Sequence, residues 1–430
     1  MTLKFARLAL AAVWLVASPA PSNAQPITAP AEGLVPPAVP DTQLVLAAPF
    51  RGKTGTLGWR LAGMFVAGLD QRSDEFGYSV GFLDAELPLR TAWAYRSLAQ
   101  LPGQSTVVVG PLQRARSEAW RPAMQDLGLA QLAFAARDGS ALAPRFTLAL
   151  DPAVNAAALA DYLCRESRTR QWGLLVPQNT AGERFARSFA QASSQCPEAV
   201  LNAVTWYRED LEDLTVRARE HYGIDRIPFE SLERQQRSID TVEGILQSDV
   251  TLVIASPDAL QRLINELLYQ GSSFQVFVGD FNFGHAKVVS EVKWPVPPLF
   301  LDHYPRSSAL VQSASFQHFT QSAQKFMKGS PTTADLLLYE AGQLATQGAF
   351  STAPTDRQYE AAGGNIQGSP DGSFTLALYP LTISDGTVNP ASTGQIDKLV
   401  ARQKEQQQKF IQARDAARAN KAKNATPTPP

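Results

Sequence analysis

The sequence predicts an α/β protein of two lobes, each a parallel β-sheet flanked by helices. Three observations carry this. Apolar runs of strand length recur along the chain: TVVVG at Thr106–Gly110, WGLLVP at Trp172–Pro177, VTLVIA at Val250–Ala255 and FQVFVGD at Phe274–Asp280. Segments of helical period separate them, and such alternation implies a parallel sheet covered on both faces. The stretch Leu299–Tyr304 reads as a return crossover, and about 400 residues after the leader are enough for two lobes of ordinary domain size.

The N-terminal 24 residues have the pattern of a secretory signal. Lys4 and Arg7 precede the apolar run Leu8–Val16, and Ser22-Asn23-Ala24 offers a small-residue cleavage site before Gln25. The apolar run is too short for a membrane span, and no membrane span is expected in the mature chain. Residues 25–41 are a Pro/Ala-rich leader with little capacity to pack.

The first lobe is expected over residues 42–148. Its strands are Gln43–Ala48, Gly77–Asp84, Ser105–Val109 and Ala130–Ala135. Helices are expected near Leu57–Leu69, Leu89–Ala99 and Ser117–Asp126. Leu61, Met64, Phe65 and Leu69 recur near helical spacing in the first of these. The second lobe is expected over residues 149–300, with helices at Asp151–Arg165 and Gly182–Ser194. Residues 210–247 are charged and helix-forming, and read as an insertion. Residues 301–359 return to the first lobe. Residues 360–390 are assigned to the second, with a hairpin turn at Pro370-Asp371-Gly372. Residues 391–430 form a polar helical tail with a disordered end. It is either a surface helix or a partner-docking arm.

The chain has 39 basic and 40 acidic residues, a net charge of −1. That balance argues against nucleic acid as a partner. The two cysteines, Cys164 and Cys196, flank the strand at Trp172 near the ends of predicted helices. In an oxidising compartment they form either a disulfide or two buried thiols. Catalytic signatures are absent: there is no G-x-S-x-G elbow and no phosphate loop. Four histidines without metal-ligand spacing suggest no metal. No cofactor is expected, and the chain is not expected to be an enzyme.

Parallel sheets bind ligands beyond the carboxyl ends of their strands. That rule selects Arg51, Thr54, Arg114, Ser117 and Arg137 on the first lobe. On the second it selects Asn179, Thr180, Asp280 and Asn282. A basic first-lobe face suits an acidic group, so Arg137 and Asp280 form the expected opposed pair for a polar ligand.

Taken in order, these features resemble the type I periplasmic binding proteins, the leucine/isoleucine/valine-binding-protein-like fold. Hinge crossovers join the two lobes of that fold. The stretches that carry the resemblance are TVVVGPL, WGLLVP with Gly182-Glu183, VTLVIASPD with FQVFVGD, and GNIQGSPDGSFTLALYPL at Gly364–Leu381. In amino-acid receptors of this fold, the resemblance places hydroxyl residues in the loop after the first Gly-Pro strand. Here that loop is Gln113–Ser117, and only Ser117 is of that type. Ala135-Ala136-Arg137 stands where an Ala and a Thr are expected. A second-lobe Tyr falls at Ala181, and the amine-binding acid falls near Phe281, beside Asp280.

The chain is more similar to the penicillin-binding-protein activators. The likeness lies in Trp206–Leu214, in the charged insertion before Val250, and in Asp371–Phe374 through Gly386–Pro390. That resemblance implies a periplasmic, non-catalytic protein of peptidoglycan metabolism that meets a peptidoglycan synthase. The other reading is the substrate-binding component of an ABC importer. It would take a polar or acidic, amino-acid-like small molecule and dock on a permease.

Overall fold

The computed structural model describes residues 42–69, 79–96, 105–134, 145–148, 152–221, 248–269, 275–306, 308–327, 329–350 and 356–424. The signal-like segment, the leader, residues 222–247 of the predicted insertion, Arg137 and residues 425–430 lie outside them.

The first part of the chain folds as β1 (Thr42–Ala48), α1 (Gly55–Leu69), β2 (Ser79–Asp84), α2 (Leu89–Arg96), β3 (Ser105–Val109), α3 (Arg114–Asp126), β4 (Ala130–Ala133) and β5 (Phe146–Leu148). Next come α4 (Pro152–Glu166), β6 (Gln171–Pro177), α5 (Thr180–Ser193), β7 (Val200–Tyr207), α6 (Leu214–His221), β8 (Val250–Val253), α7 (Pro257–Tyr269), β9 (Phe277–Gly279), α8 (Ala286–Glu291) and β10 (Leu299–Asp302). The chain then returns through α9 (Ser308–Val311), α10 (Ala314–Phe326), α11 (Thr333–Thr346), β11 (Arg357–Tyr359), β12 (Ile366–Gly368) and β13 (Ser373–Thr375). It ends with β14 (Tyr379–Ser384), β15 (Thr387–Pro390) and the long α12 (Gln395–Asn424).

Two sheets result. One runs β11-β12-β13-β5-β4-β3-β1-β2, the other β15-β14-β10-β9-β8-β6-β7. The pairs from β2 through β5 to β13 are parallel, as are those from β7 to β10. Only the hairpin strands at one end of each sheet run antiparallel. Central strands such as β1 and β8 are buried on both faces, which is why they read as unbroken apolar runs. At the other end of the second sheet, β7 alternates between more and less exposed residues, as an edge strand with one solvated face does.

Helix α11 is the centre of the first lobe and is buried from Asp335 to Thr346. It crosses α1 at two glycines. A Cβ on Gly68 would lie 1.9 Å from the Tyr339 carbonyl oxygen, and one on Gly342 would lie 2.5 Å from that of Phe65. Any larger residue at either position forces the helices apart. In the second lobe, Trp172 meets Phe189 edge-on and Phe185 stacks on Phe189 beneath α5. Burying each of these rings contributes about 2–3 kcal/mol. Cys164 at the end of α4 is bonded to Cys196 just after α5, with Cα atoms 5.7 Å apart.

The lobe boundary differs from the one expected from sequence. Residues 366–375 were assigned to the second lobe, but β12 and β13 join the first sheet, β13 lying parallel to β5. The change of lobe therefore falls at residues 376–378, and the preceding one falls after Asp302. Aromatic packing explains this: Phe374 stacks on Phe146 and meets Phe350 and Tyr359 edge-on. A hairpin pattern identifies two paired strands, not the sheet that accepts them.

The tail also gains definition. The first half of α12 docks on the second lobe through buried Ile396, Val400, Gln403 and Gln407. Gln403 accepts a hydrogen bond from the Val276 amide at 2.9 Å and donates to the Asp249 carbonyl at 3.2 Å. Asp397 accepts from Ser167 and from the Arg168 amide. An apolar count missed this helix face because two of its four buried residues are glutamines.

Candidate functional site

The lobes enclose a cleft of about 810 Å³. The first lobe contributes Leu57, Arg60, Leu112, Phe134, the segment 330–334 and Leu337. Across it stand Phe281, Asn282, Gly284, His285, Ala286 and Val289, with Gly386–Val388. Asp302, Tyr304 and Arg306, on the crossover after β10, close the base. The walls are largely apolar, with a few polar groups at fixed points, as small-molecule and partner clefts commonly are.

Several of those polar groups are engaged with one another. Arg60 donates from Nε and Nη2 to the two carboxylate oxygens of Asp335, both at 2.8 Å, a bidentate pair. Asp335 is fully buried and also accepts from the Thr332 amide and hydroxyl, which completes a capping box at the start of α11. The Thr333 hydroxyl lies 3.0 Å from both oxygens of Asp302, and the His303 amide donates to the same carboxylate at 2.8 Å. The Arg306 guanidinium carbon lies 4.5 Å from the centroid of the Tyr304 ring.

The residues selected from sequence fare unevenly. Asn282 lines the cleft, but its amide group donates to Asp280. Asp280 is fully buried and caps the short turn 281–284 through the Asn282 amide. It therefore offers no surface to a ligand, contrary to the expected pairing with Arg137. Ser117 is buried too, its hydroxyl accepting from Gln131 at 2.9 Å, so it braces β4 and is not a cleft group. Asn179 caps α5 by accepting from the Gly182 amide, and Thr180 is the exposed first residue of that helix. Arg51 is exposed and paired with Asp84 at 3.0 Å, and the Thr54 hydroxyl donates back to the Arg51 carbonyl. Arg114 opens α3. None of Arg51, Thr54, Ser117, Asn179 and Thr180 lines the cleft.

Sequence reasoning passed over Arg60, Asp302, Tyr304, Arg306 and Thr333. The carboxyl-end rule would have found three of them had it been applied to β10, which ends at Asp302.

Burial shapes the acids at the base of the cleft. It raises Asp280 to about 7, against hydrogen bonds from Asn282 that favour the charge, and the nearby Asp302 carboxylate adds to the rise. Burial likewise raises Asp302 to about 6, partly offset by Thr333 and by His303. A carboxyl raised above its ordinary value binds more protons folded than unfolded. Each of these groups therefore favours the fold at low pH, and that contribution is lost as pH rises through about 6 and about 7. His221 acts in the opposite sense. Burial lowers it to about 4, so its contribution holds above 6.5 and is lost as pH falls toward 4. The two acids together outweigh the single histidine, so the melting temperature is expected to fall between about pH 4 and about pH 7 and to level off above, with Asp280→Asn flattening part of that slope. Differential scanning fluorimetry across the interval checks this; a melting temperature that rises instead would contradict the assignment.

Two mostly parallel sheets, joined by crossovers around a cleft, define the type I periplasmic-binding-protein fold. No protein-family model and no curated protein sequence matches the chain. Among solved structures it is similar to the C-domain of LpoA (YraM) from Haemophilus influenzae, a regulator of PBP1A. The TM-score is 0.53 at 16% identity, over 81% of this chain and 100% of that domain. A putative branched-chain amino acid ABC transporter protein from Rhodospirillum rubrum gives a TM-score of 0.62 at 14% identity, covering 81% of this chain and 99% of the other. A solute-binding protein from R. palustris, in complex with benzoate, gives 0.54 at 13% identity, covering 82% and 96%. At these identities the likeness is one of fold. Among the described residues, no helix is long and apolar enough to cross a membrane.

Proposed function

We propose that this protein is a non-catalytic, exported regulator of cell-envelope metabolism that acts on a peptidoglycan synthase in the periplasm. One observation carries the reading: three of the polar side chains at the cleft, Arg60, Asp302 and Asn282, are engaged within the protein, while Arg306 stands exposed over the Tyr304 ring. Arg60 is held bidentately by Asp335, Asp302 by Thr333, and Asn282 by Asp280. A ligand that used those three groups would have to displace their bonds, and exchanging one set of hydrogen bonds for another yields little net affinity. Among the described residues, Ser117 and Asp280, which stand where the amino-acid receptors place contacts to their ligand, are buried and internally bonded. The LpoA C-domain, a regulator of PBP1A, shares the fold over its whole length, which is compatible with this reading.

The importer reading draws on a different observation. The cleft, at about 810 Å³, is large enough for a small molecule, and several structures of similar fold belong to ABC transporters. The two readings separate in one binding experiment. The mature protein is immobilised and exposed to a detergent-solubilised bifunctional peptidoglycan synthase from the same bacterium. Saturable binding is the expected result. Absence of binding, together with a cleft ligand that raises the melting temperature of wild type, would favour the importer.

A further inference from the structure

Two of the connections between the lobes pass side by side. One follows β10 at His303, the other joins β13 to β14 through Ala377. His303 is fully buried and bridges them. Its Nδ1 lies 2.7 Å from the Ala377 carbonyl oxygen, which only accepts, so Nδ1 carries a proton. Its Nε2 lies 2.6 Å from Oε2 of Glu340, itself fully buried on α11 of the first lobe. The other Glu340 oxygen accepts from the Gly363 amide at 2.6 Å, and the Gly363 carbonyl accepts from the Tyr379 hydroxyl at the start of β14. A Cβ on Gly363 would fall 2.7 Å from both Glu340 Oε1 and His303 Nε2, so the pair is closed in on that side.

With Glu340 ionised, the 2.6 Å contact requires a proton on Nε2, which makes the ring an imidazolium. The titratable groups around it are Glu340 from α11, Asp302 from β10 and Tyr379 from β14. Burial opposes a charged ring. The Glu340 charge, its hydrogen bond and the Ala377 carbonyl outweigh that and hold His303 above its ordinary value.

We propose that the His303–Glu340 pair is a proton-dependent latch at the hinge, clamping the two crossovers to α11 and fixing the angle between the lobes. Loss of the Nε2 proton to water leaves a ring lone pair facing a carboxylate across the same contact. The two repel, the crossovers separate from α11, and the lobes take a wider range of angles. Because Asp302 and Tyr304, on either side of His303, line the cleft, its opening then follows pH. This goes beyond the proposed regulation and holds for either kind of cleft occupant.

The test uses the mature protein with spin labels at exposed Gln125 and Gln191, one on each lobe. Pulsed electron paramagnetic resonance reads the interlobe distance distribution from about pH 6 to about pH 10, a window that brackets a raised histidine. Wild type is expected to show a narrow distribution at low pH that shifts and broadens with a one-proton midpoint. Glu340→Gln keeps neutral hydrogen bonds to Nε2 and to Gly363, so its distribution is expected to stay narrow throughout. His303→Gln, which has no titrating ring, is expected to lose the midpoint as well. A wild-type distribution that does not change across the window overturns the latch by itself. So does an unchanged midpoint in either variant.

Discussion

Replacing Asp335 by alanine is expected to destabilise the protein by about 3 kcal/mol, among the largest losses available to a single substitution in the cleft wall. Two effects add. The guanidinium of Arg60, three-quarters buried, loses its only bidentate acceptor, and removing one partner of a buried pair leaves a charge uncompensated. The start of α11 also loses the Thr332–Asp335 capping box, worth about 1 kcal/mol. The exposed quarter of Arg60 lets water soften the first effect, which is why the expected loss lies at the low end of values for buried pairs. Asp335→Asn is expected to lose less, because an amide oxygen still accepts from Thr332 and from one guanidinium nitrogen. Chemical denaturation of wild type, both single variants and the Arg60→Ala/Asp335→Ala double variant measures the coupling directly. A loss under about 1 kcal/mol for Asp335→Ala would show that the pair behaves as a solvated one, and that Arg60 is free to meet a ligand.

Removing the disulfide is expected to cost about 3–4 kcal/mol. The bond closes a loop of 32 residues, and fixing that loop in the unfolded chain gives a loss of this order. It also ties α4 to α5 beside the buried cluster that holds Trp172 and Phe189. The Cys164→Ala/Cys196→Ala protein should melt several degrees below wild type. Treating wild type with a thiol reductant should produce the same shift. Identical melting curves for oxidised and reduced protein would mean that the bond contributes nothing to the folded state.

Much of this architecture was legible. Buried parallel strands are continuous apolar runs, so TVVVG, WGLLVP and VTLVIA marked the centres of the sheets, and Leu299–Tyr304 marked the return between lobes. The cleft groups were harder to see for a definite reason. Their roles depend on partners far away in sequence: Arg60 and Asp335 are 275 residues apart, and His303 and Glu340 are 37 apart. Within TADLLLYEAGQLAT, an aspartate and a glutamate look like the polar face of an amphipathic helix. In the folded chain that helix is buried all round, and the two acids meet a guanidinium and an imidazole. The loop residues chosen from sequence were misread in the opposite direction. Asn179 and Asp280 each stand at the start of a helical turn, where a short polar side chain more often caps its own backbone than binds a ligand. That local prior was available in the sequence and outweighs the general rule about strand ends.

The most direct test of the central claim is the rate at which a purified bifunctional peptidoglycan synthase polymerises glycan strands with and without this protein. The proposed function predicts that adding the protein at stoichiometric excess raises that rate, with no small molecule required. An unchanged rate at saturating protein, for a synthase shown to be active on its own, would contradict the account and leave the cleft to a transported ligand.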